Sequence, residues 1–583
     1  MHRILLFTLG IFCFLSSTNA QKASSNELLI TPFEKDQNKT TTYQEAIAFY
    51  EKLAETSPMV SMQEWGSTDS GHPLHTVVLS KDGDVDPISI RRKGRLVLLI
   101  DNGIHPGEPC GIDASMMLLR DYAEKTEWQD VLDRLVIVAI PIYNIGGALN
   151  RSSSNRANQN GPDAYGFRGN ARNLDLNRDF IKCDSRNART FNQLFTHWNP
   201  DVFIDTHTSN GADYQYTMTL IATQSDKLEP ALGDYLKNQM LPRLYDDMKA
   251  KQWEMIPYVY ARDIPDNGIA AFLDLPRYSS GYAALFNTLS FMPETHMLKP
   301  FKDRVKSTYT FIDCMIRLMH EDHERIREAR NKAIENTRHK KTFDLNWQMQ
   351  TDKVEQLLFK GYTAKYKASE VSGKDRLYYD HSEPFEKNIP YYRHYAPSLS
   401  IDKPIAYIIP QAYQEVVERL RWNGVQIQQL QDDQELEVEL YVIENYKDRA
   451  AYEGHYLHTN VEVRKIRRKQ KYFKGDYLVA TGQRANRYLI ETLEPQAPDS
   501  WFAWNFFDGI LMQKEYFSAY VFEDLAAKYL EEIPGLREKL EAKKQEDAEF
   551  AESASAQLTF IYKHSPHYEP THRVYPVGRV VNE

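Results

Sequence analysis

The sequence contains little cysteine. Of four cysteines in 583 residues, one lies in the apolar N-terminal stretch, which leaves Cys110, Cys183 and Cys314. An odd and sparse set does not make a disulfide framework, although one bridge is possible. The fold must therefore depend on a hydrophobic core, and hydrophobic residues at 42% of the chain are sufficient for one.

Excess positive charge is also absent. There are 71 Lys and Arg residues against 81 Asp and Glu, which gives a net charge of -10. That balance does not support a nucleic-acid or anionic-membrane partner. Beyond the N-terminus no apolar run is long enough to cross a bilayer, and no repeat or low-complexity tract is present. These absences indicate an ordinary globular chain with two or three domains.

The first twenty residues have the pattern of a secretory signal peptide. His2 and Arg3 form a short basic start, the segment 4–15 is mostly apolar, and 18–20 provides a small-residue cleavage site. An uncleaved membrane anchor is the alternative, but the apolar run is short for a span. We therefore expect cleavage before Gln21 and a secreted or periplasmic protein.

Strand and helix patterns alternate through the first part of the chain. Apolar runs predict strands at 96–101, 135–140, 202–205 and 217–222, and helical patterns lie between several of them. Such alternation predicts an α/β fold with a mixed, mostly parallel sheet and helices on both faces.

The pattern of residues changes after a charged helical stretch at about 311–341. We therefore predict a signal peptide at 1–20, a catalytic domain at 21–340 and a C-terminal α+β region of unknown role at 341–583. In the last region, the dense basic run at 464–474 is interpreted as a solvated hairpin rather than a binding surface.

The tetrapeptide His105-Pro106-Gly107-Glu108 places a histidine and a carboxylate at the spacing of a metal-ligand pair. It follows the predicted strand 96–101, and ligands collect at the carboxyl ends of strands in α/β sheets. The motif alone is weak evidence, because H-x-x-E also occurs by chance. A zinc hydrolase needs a third protein ligand, and His207, just after the predicted strand 202–205, fits. A structural histidine at a strand end is the alternative interpretation.

A second motif, Asp175-Leu176-Asn177-Arg178, sets an amide beside a guanidinium, and together these groups can hold a carboxylate. Arg168 and Arg172 lie just upstream and could also meet negative charge. A surface loop with salt bridges would explain the charges, but not the dense grouping of Asn, Arg and Gly.

Four segments together resemble the carboxypeptidase A-like zinc metallocarboxypeptidase family in order and approximate spacing. The resemblance covers roughly residues 40–335 and implies a hydrolase that removes a residue from the carboxyl end of a peptide. The segments are His105-x-x-Glu108, Arg168-x-Asn170 leading into Asp175-x-Asn177-Arg178, Ile204-Asp205-Thr206-His207, and Phe291-Met292-Pro293-Glu294.

The resemblance implies the chemistry of the centre. His105, Glu108 and His207 would bind one Zn²⁺, and Asp175 would orient His105 as an outer carboxylate. Glu294 would be the general base, which takes a proton from the zinc-bound water and returns it to the leaving amine.

It also implies the residues that meet the substrate, a peptide or another amide that carries a carboxylate. Asn177 and Arg178 would hold the terminal carboxylate, Arg168 would stabilise the oxyanion, and Tyr278 would close over the substrate. The alternatives are Arg172 or Arg156 for the oxyanion and Tyr282 for the closing tyrosine.

The chain departs from the family between the two ligands of the first motif. Leading members have Ala-Arg there, whereas this chain has Pro106-Gly107, so an arginine that helps to polarise the carbonyl is missing. No residue fixes a preference for apolar, basic or acidic side chains. The departures therefore affect the substrate more than the zinc chemistry.

Three other functions remain open from the sequence. A zinc amidohydrolase of the same fold could act on cell-wall peptides or N-acyl amino acids. A catalytically inactive relative could capture peptides or glycans, although all three ligand candidates and Glu294 are present. The C-terminal region could also be a substrate- or surface-binding module.

Overall fold

The structure is a computed structural model that describes residues 29–261 and 263–581. The predicted signal peptide at 1–20 lies outside these residues. Within the described ranges, none of the helices combines the length and the apolar character that crossing a bilayer requires.

The chain forms helices and strands that alternate through its first half and segregate in its second half. The α-helices are α1 (Pro32–Lys35), α2 (Tyr43–Thr56), α3 (Pro87–Arg92), α4 (Cys110–Glu124), α5 (Ile145–Leu149), α6 (Arg186–Trp198), α7 (Pro230–Tyr235), α8 (Leu241–Ala250), α9 (Ser279–Ala284), α10 (Phe301–Glu321), α11 (His323–His339), α12 (Gln414–Trp422), α13 (Asn486–Leu493), α14 (Ala519–Glu532), α15 (Leu536–Glu546), α16 (Ala548–Ala551) and α17 (Ala554–Lys563). The strands are β1 (Val60–Ser67), β2 (Pro73–Leu79), β3 (Leu96–Asp101), β4 (Leu135–Ile140), β5 (Val202–Asp205), β6 (His207–Ser209), β7 (Met218–Ala222), β8 (Met255–Pro257), β9 (Tyr260–Ala261), β10 (Ile269–Ala270), β11 (Leu289–His296), β12 (Thr342–Met349), β13 (Glu355–Ala368), β14 (Asp375–Tyr392), β15 (Tyr395–Asp402), β16 (Ala406–Ile409), β17 (Gln428–Gln429), β18 (Gln434–Asp448), β19 (His458–Tyr472), β20 (Tyr477–Ala480) and β21 (Gly578–Val580).

The central sheet has the strand order β1-β2-β4-β3-β5-β11-β7-β8, and β6 pairs with β11 beside this path. The pairings of β3 with β4 and β5, of β11 with β5 and β6, and of β7 with β8 are parallel. The remaining pairings are antiparallel. The predicted mixed, mostly parallel sheet is therefore confirmed.

Both faces of the sheet are buried, which explains why its strands are continuous apolar runs. On β3, Leu98 and Ile100 belong to one hydrophobic cluster, whereas Val97 and Leu99 belong to another. Alternate residues of a strand point to opposite faces. Helices therefore cover the sheet on both sides, as the sequence predicted.

Local signals in the sequence fix several helix ends. Thr42 caps α2, and its side chain and Glu45 form the reciprocal bonds of a capping box. The charged stretch predicted at 311–341 is instead two helices, α10 and α11, which meet at Asp322. After α12, Gln428–Gln429 form a short strand that pairs with β20.

The C-terminal region packs on the second face of the central sheet. One hydrophobic cluster contains Val97 and Phe203 of the sheet together with Trp501 and Trp504. A six-stranded sheet, ordered β17-β20-β16-β21-β18-β19, lies in this region. The basic run at 464–474 falls largely on β19, an edge strand, where charged side chains discourage pairing with another chain. The boundary at 340 stays a prediction, but the core extends across it.

Replacing Trp501 by Ala tests this shared core. Trp501 is fully buried, and its ring centre lies 6.1 Å from that of Tyr488. Tyr488 in turn stacks on Phe286 in the first part of the chain. We expect a loss of about 3–5 kcal/mol in the free energy of unfolding, because a large buried ring is removed. Urea denaturation followed by circular dichroism should show one transition at lower urea. The exposed Tyr520→Ala serves as the control, and two separate transitions would contradict a shared core.

Candidate active site

Strand register brings the predicted site residues to one edge of the sheet. Ile100 on β3 is paired with Ile204 on β5, so both strands end together. His207 begins β6 and lies opposite Glu294 on β11. His105 lies four residues beyond the end of β3. Parallel pairing therefore places two histidines and a glutamate at the carboxyl ends of neighbouring strands.

His105, Glu108 and His207 form a compact buried cluster. One ligand atom from each lies within 4.8 Å of the other two. Nδ1 of His105 is 3.4 Å from Oε1 of Glu108, and Nδ1 of His207 is 3.2 Å from Oε2 of the same carboxylate. Among the described residues, this is the only such group of His, Cys, Asp and Glu side chains.

Two aspartates hold the outer nitrogens of these histidines. Nε2 of His105 is 2.8 Å from Asp175, and Nε2 of His207 is 2.8 Å from Asp205. With a hydrogen on Nε2 donated to its carboxylate, each ring would present Nδ1 to a metal ion. Asp205 was not assigned a role from the sequence, although it lies two residues before His207 on the same face of the chain.

The cluster fits a divalent zinc ion. Nδ1 of His105 is buried and has no hydrogen-bond partner among the described residues, so it is available to a ligand. Two imidazole nitrogens and one carboxylate are a donor set of catalytic zinc sites. Glu108 also accepts a hydrogen bond from the backbone N–H of Thr208 at 2.8 Å, which fixes its orientation.

Glu294 faces this cluster from β11. Its carboxylate forms no hydrogen bond or ion pair with any residue that the structure describes. Burial raises the pKa of Glu294 to about 7, with Glu108 and Asp205 adding to the rise and the two histidines opposing it. A carboxylate with a pKa near neutrality is suited to proton transfer.

Asp175 connects the cluster to the predicted substrate-binding residues. One of its oxygens meets His105 and the backbone N–H of Asn177 at 2.9 Å, and the other accepts from Nε of Arg168 at 2.9 Å. Burial opposes ionisation, but His105, Arg168 and Arg178 lower the pKa of Asp175 well below its usual range. Arg168 also reaches Oε1 of Glu108 at 3.3 Å.

A residue of the C-terminal region completes this network. The backbone N–H of Asp175 donates to Glu453 at 2.8 Å, across 278 positions of sequence. Glu453 has a φ of +50°, a left-handed conformation that is uncommon for residues other than glycine. Sequence reasoning missed this residue, because no local pattern connects it to the motif.

A cavity of about 600 Å³ opens in front of the cluster. Arg178 lines it, and its guanidinium carbon lies 4.5 Å from the centre of the Tyr278 ring. Tyr278 in turn packs 5.1 Å from Phe272. The amide of Asn177 is held by the backbone N–H of Ser279 at 3.0 Å. The cavity thus has an ionic end at the cluster and an aromatic wall beyond Arg178.

Two of the three alternatives proposed from the sequence lie elsewhere. Tyr282 is fully buried in the core, where its hydroxyl donates to Asn423 at 2.6 Å. Arg172 is exposed and donates to the backbone oxygen of Asp184. Neither lines the cavity. Cys110, Cys183 and Cys314 are buried and free, so the possible disulfide does not form between them.

Arg156 supplies a guanidinium beside the motif that lacks an arginine. Its Nη1 lies 2.5 Å from Oε1 of Glu108, and its Nη2 donates to the backbone oxygen of Thr208 at 3.1 Å. A Cβ placed on Gly107 would lie 2.9 Å from Cδ of Arg156 and 3.1 Å from the backbone oxygen of Gly166. The glycine therefore leaves the space that this arginine occupies.

Comparisons with known proteins also match this chain to carboxypeptidases. The profile of the family described as "Zinc carboxypeptidase" matches residues 46–353. Carboxypeptidase 2 of Trichophyton rubrum is 23% identical over 471 residues, which cover 78% of this chain and 81% of that protein. Carboxypeptidase 2 of Trichophyton tonsurans is 23% identical over 424 residues, with 70% and 73% covered.

Solved structures that match part of this chain include a metallo-carboxypeptidase from Burkholderia cenocepacia. It is 17% identical, with a TM-score of 0.36, and the match covers 49% of this chain and 70% of that one. Carboxypeptidase A from Helicoverpa armigera is 14% identical, with a TM-score of 0.37 and coverage of 49% and 75%.

Gly107→Ala tests the contact between the motif and Arg156. The added methyl group would crowd Arg156 and the Gly166 backbone, and such overpacking costs typically about 1–3 kcal/mol. We expect a correspondingly lower free energy of unfolding in chemical denaturation. Gly509→Ala is the matched control, because nothing lies within 4 Å of a Cβ at that position. Equal stabilities of the two variants would show that the motif tolerates a side chain at 107.

Proposed function

Because the chain belongs to the zinc carboxypeptidase family, whose profile matches residues 46–353, we propose that its catalytic centre is the His105–Glu108–His207 cluster. The resemblance predicted from the motifs is confirmed by this family membership. The protein is a zinc metallocarboxypeptidase, a hydrolase that cleaves peptide bonds at the carboxyl end of its substrates.

His105, Glu108 and His207 would hold one Zn²⁺ through Nδ1 of each histidine and the carboxylate. When bound, the ion lowers the pKa of a water molecule and polarises the carbonyl of the substrate. The observation that carries this assignment is the pair of aspartates on the outer nitrogens. Asp175 and Asp205 fix both imidazoles with Nδ1 directed inward.

Glu294 would be the general base. Its carboxylate has no partner among the described residues and faces the cluster, and its raised pKa allows it to accept a proton and release it again. It would take a proton from the attacking water and deliver it to the nitrogen of the leaving amine. Arg168 lines the cavity beside Glu108 and would stabilise the negative charge that develops on the carbonyl oxygen.

Arg178 and Asn177 would select the free carboxyl end. One Nη of Arg178 donates to the backbone oxygen of Asn177 at 2.8 Å, which leaves its other N–H groups for the substrate. Tyr278 covers the guanidinium and would pack against the terminal residue. A charged guanidinium at the end of the cavity favours substrates that end in a carboxylate.

We also propose that the protein is exported. The basic, apolar and small-residue layout of residues 1–20 supports a secreted or periplasmic location. The C-terminal region contributes Glu453 to the network around Asp175, so we propose that it supports the centre in addition to any role of its own.

Glu294→Gln tests the base. The amide keeps the shape but cannot accept the proton, so we expect kcat to fall by about 10²–10⁴-fold. Zinc content measured on the purified variant should remain at one ion per chain. Glu370→Gln, which removes an exposed carboxylate from a hairpin tip, should leave kcat unchanged. Near-normal turnover by the Glu294→Gln variant would exclude this glutamate as the base.

Arg178→Ala tests the selection of a free carboxylate. Loss of a charge-assisted contact should lower kcat/KM on peptides with a free terminus by about 10–100-fold. Activity on the same peptides with an amidated terminus, already low, should change little. Arg172→Ala removes a neighbouring exposed arginine outside the cavity and is the control. An equal loss on both substrate series would argue against exopeptidase action and favour a general amidohydrolase.

A further inference from the structure

A second cavity, of about 470 Å³, lies between the C-terminal region and the first part of the chain. It shares no lining residue with the cavity at the zinc cluster. Arg338 and Arg484 are its charged lining residues, and no carboxylate lines it among the residues that the structure describes. The other polar groups are amides and hydroxyls, including those of Asn423, Gln426 and Gln483.

Arg484 has no partner in the described part of the protein. It forms no hydrogen bond or ion pair there, and its Nε is shielded from solvent. A guanidinium is costly to remove from water unless an acceptor replaces the lost hydration. Burial lowers the pKa of Arg484 to about 9, and the positive charges of Arg330 and Arg91 add to this effect.

Asp201 opposes the fall in the pKa of Arg484, but this carboxylate already pairs with two other arginines. Arg91 and Arg330 share one carboxylate, Asp201, at 2.5 and 2.8 Å. Arg338 has Glu335 at 3.7 Å, and both side chains are exposed. The cluster of Arg91, Arg330 and Arg484 thus holds three cations against one buried anion. Of these three arginines, Arg484 lines the cavity.

The position of this cluster separates it from the peptidase centre. Asp201 immediately precedes β5, whereas His207 follows the other end of that strand. The arginine cluster therefore lies at the amino end of the strand, away from the edge where the histidines meet. A ligand there would act on stability and on the contact between the two parts of the chain, without contacting substrate.

We propose that this cavity binds a small oxyanion, with Arg484 and Arg338 as its principal contacts. A guanidinium presents paired N–H groups that match the oxygens of carboxylate, phosphate or sulfate. The amide of Gln426 lines the same space and offers a further donor. The anion would neutralise Arg484 and join the loop before α13 to the end of α11.

Direct binding tests the proposal on the full-length protein. Isothermal titration with inorganic phosphate, sulfate or acetate, at constant ionic strength in chloride, should show one saturable site for at least one of them. Comparing the phosphate and sulfate titrations with the acetate titration distinguishes a tetrahedral oxyanion from a carboxylate. The melting temperature should rise with the ligand that binds, by on the order of 2 °C near saturation.

Arg484→Gln should abolish that binding and the ligand-dependent shift. In chloride alone, the variant should melt at or above the wild-type temperature, because an uncompensated charge has been removed. A purely structural arginine would instead lower the melting temperature in every buffer. Arg338→Gln should weaken binding about 10-fold, which corresponds to one charge-assisted contact. Arg376→Gln, on an exposed hairpin, is the control and should behave as wild type.

Two results would overturn the proposal. Wild-type protein that binds none of the three anions has no such site. Binding that survives in both Arg484→Gln and Arg338→Gln lies elsewhere on the molecule. Neither result bears on the zinc centre, because peptidase activity is not the readout and no residue is shared between the two cavities.

Discussion

The parallel pairing of β3, β5 and β11 is the constraint on which the rest of the molecule depends. It ends the strands at one edge, so His105, His207 and Glu294 converge although they are far apart in sequence. Asp175 and Asp205 support the histidines from behind, Arg168 lies beside Asp175, and Arg156 lies beside Glu108. These opposite charges lower the cost of burying the ionic groups that they pair with.

Much of the fold could be predicted because its signals are local. The apolar runs of β3, β4 and β5 match the observed strands, and the capping box at Thr42 marks the start of α2. The break at Asp322 between two helices could not be predicted, since charged residues on both sides continue the helical pattern. The packing of the C-terminal region on the sheet could not be predicted either. Phe203 and Trp501 share one hydrophobic cluster, but neither sequence segment alone indicates this contact.

The candidate site also has residues that the sequence could predict and contacts that it could not. His105, Glu108, His207, Asp175 and Glu294 stand in short motifs, and the structure brings all five together. The contacts that support them come from distant loops. Arg156 reaches Glu108 from 48 positions away, and the motif shows only the glycine that makes room for it. Spacing within a motif reports which side chains share a strand end, but it does not report which loop folds back over them.

The bond between Glu453 and the backbone of Asp175 has a consequence for biosynthesis. The two residues are separated by 278 positions, so a growing chain carries every candidate zinc ligand well before it carries this support. The network around Asp175 is therefore complete only in a chain that has been extended as far as Glu453.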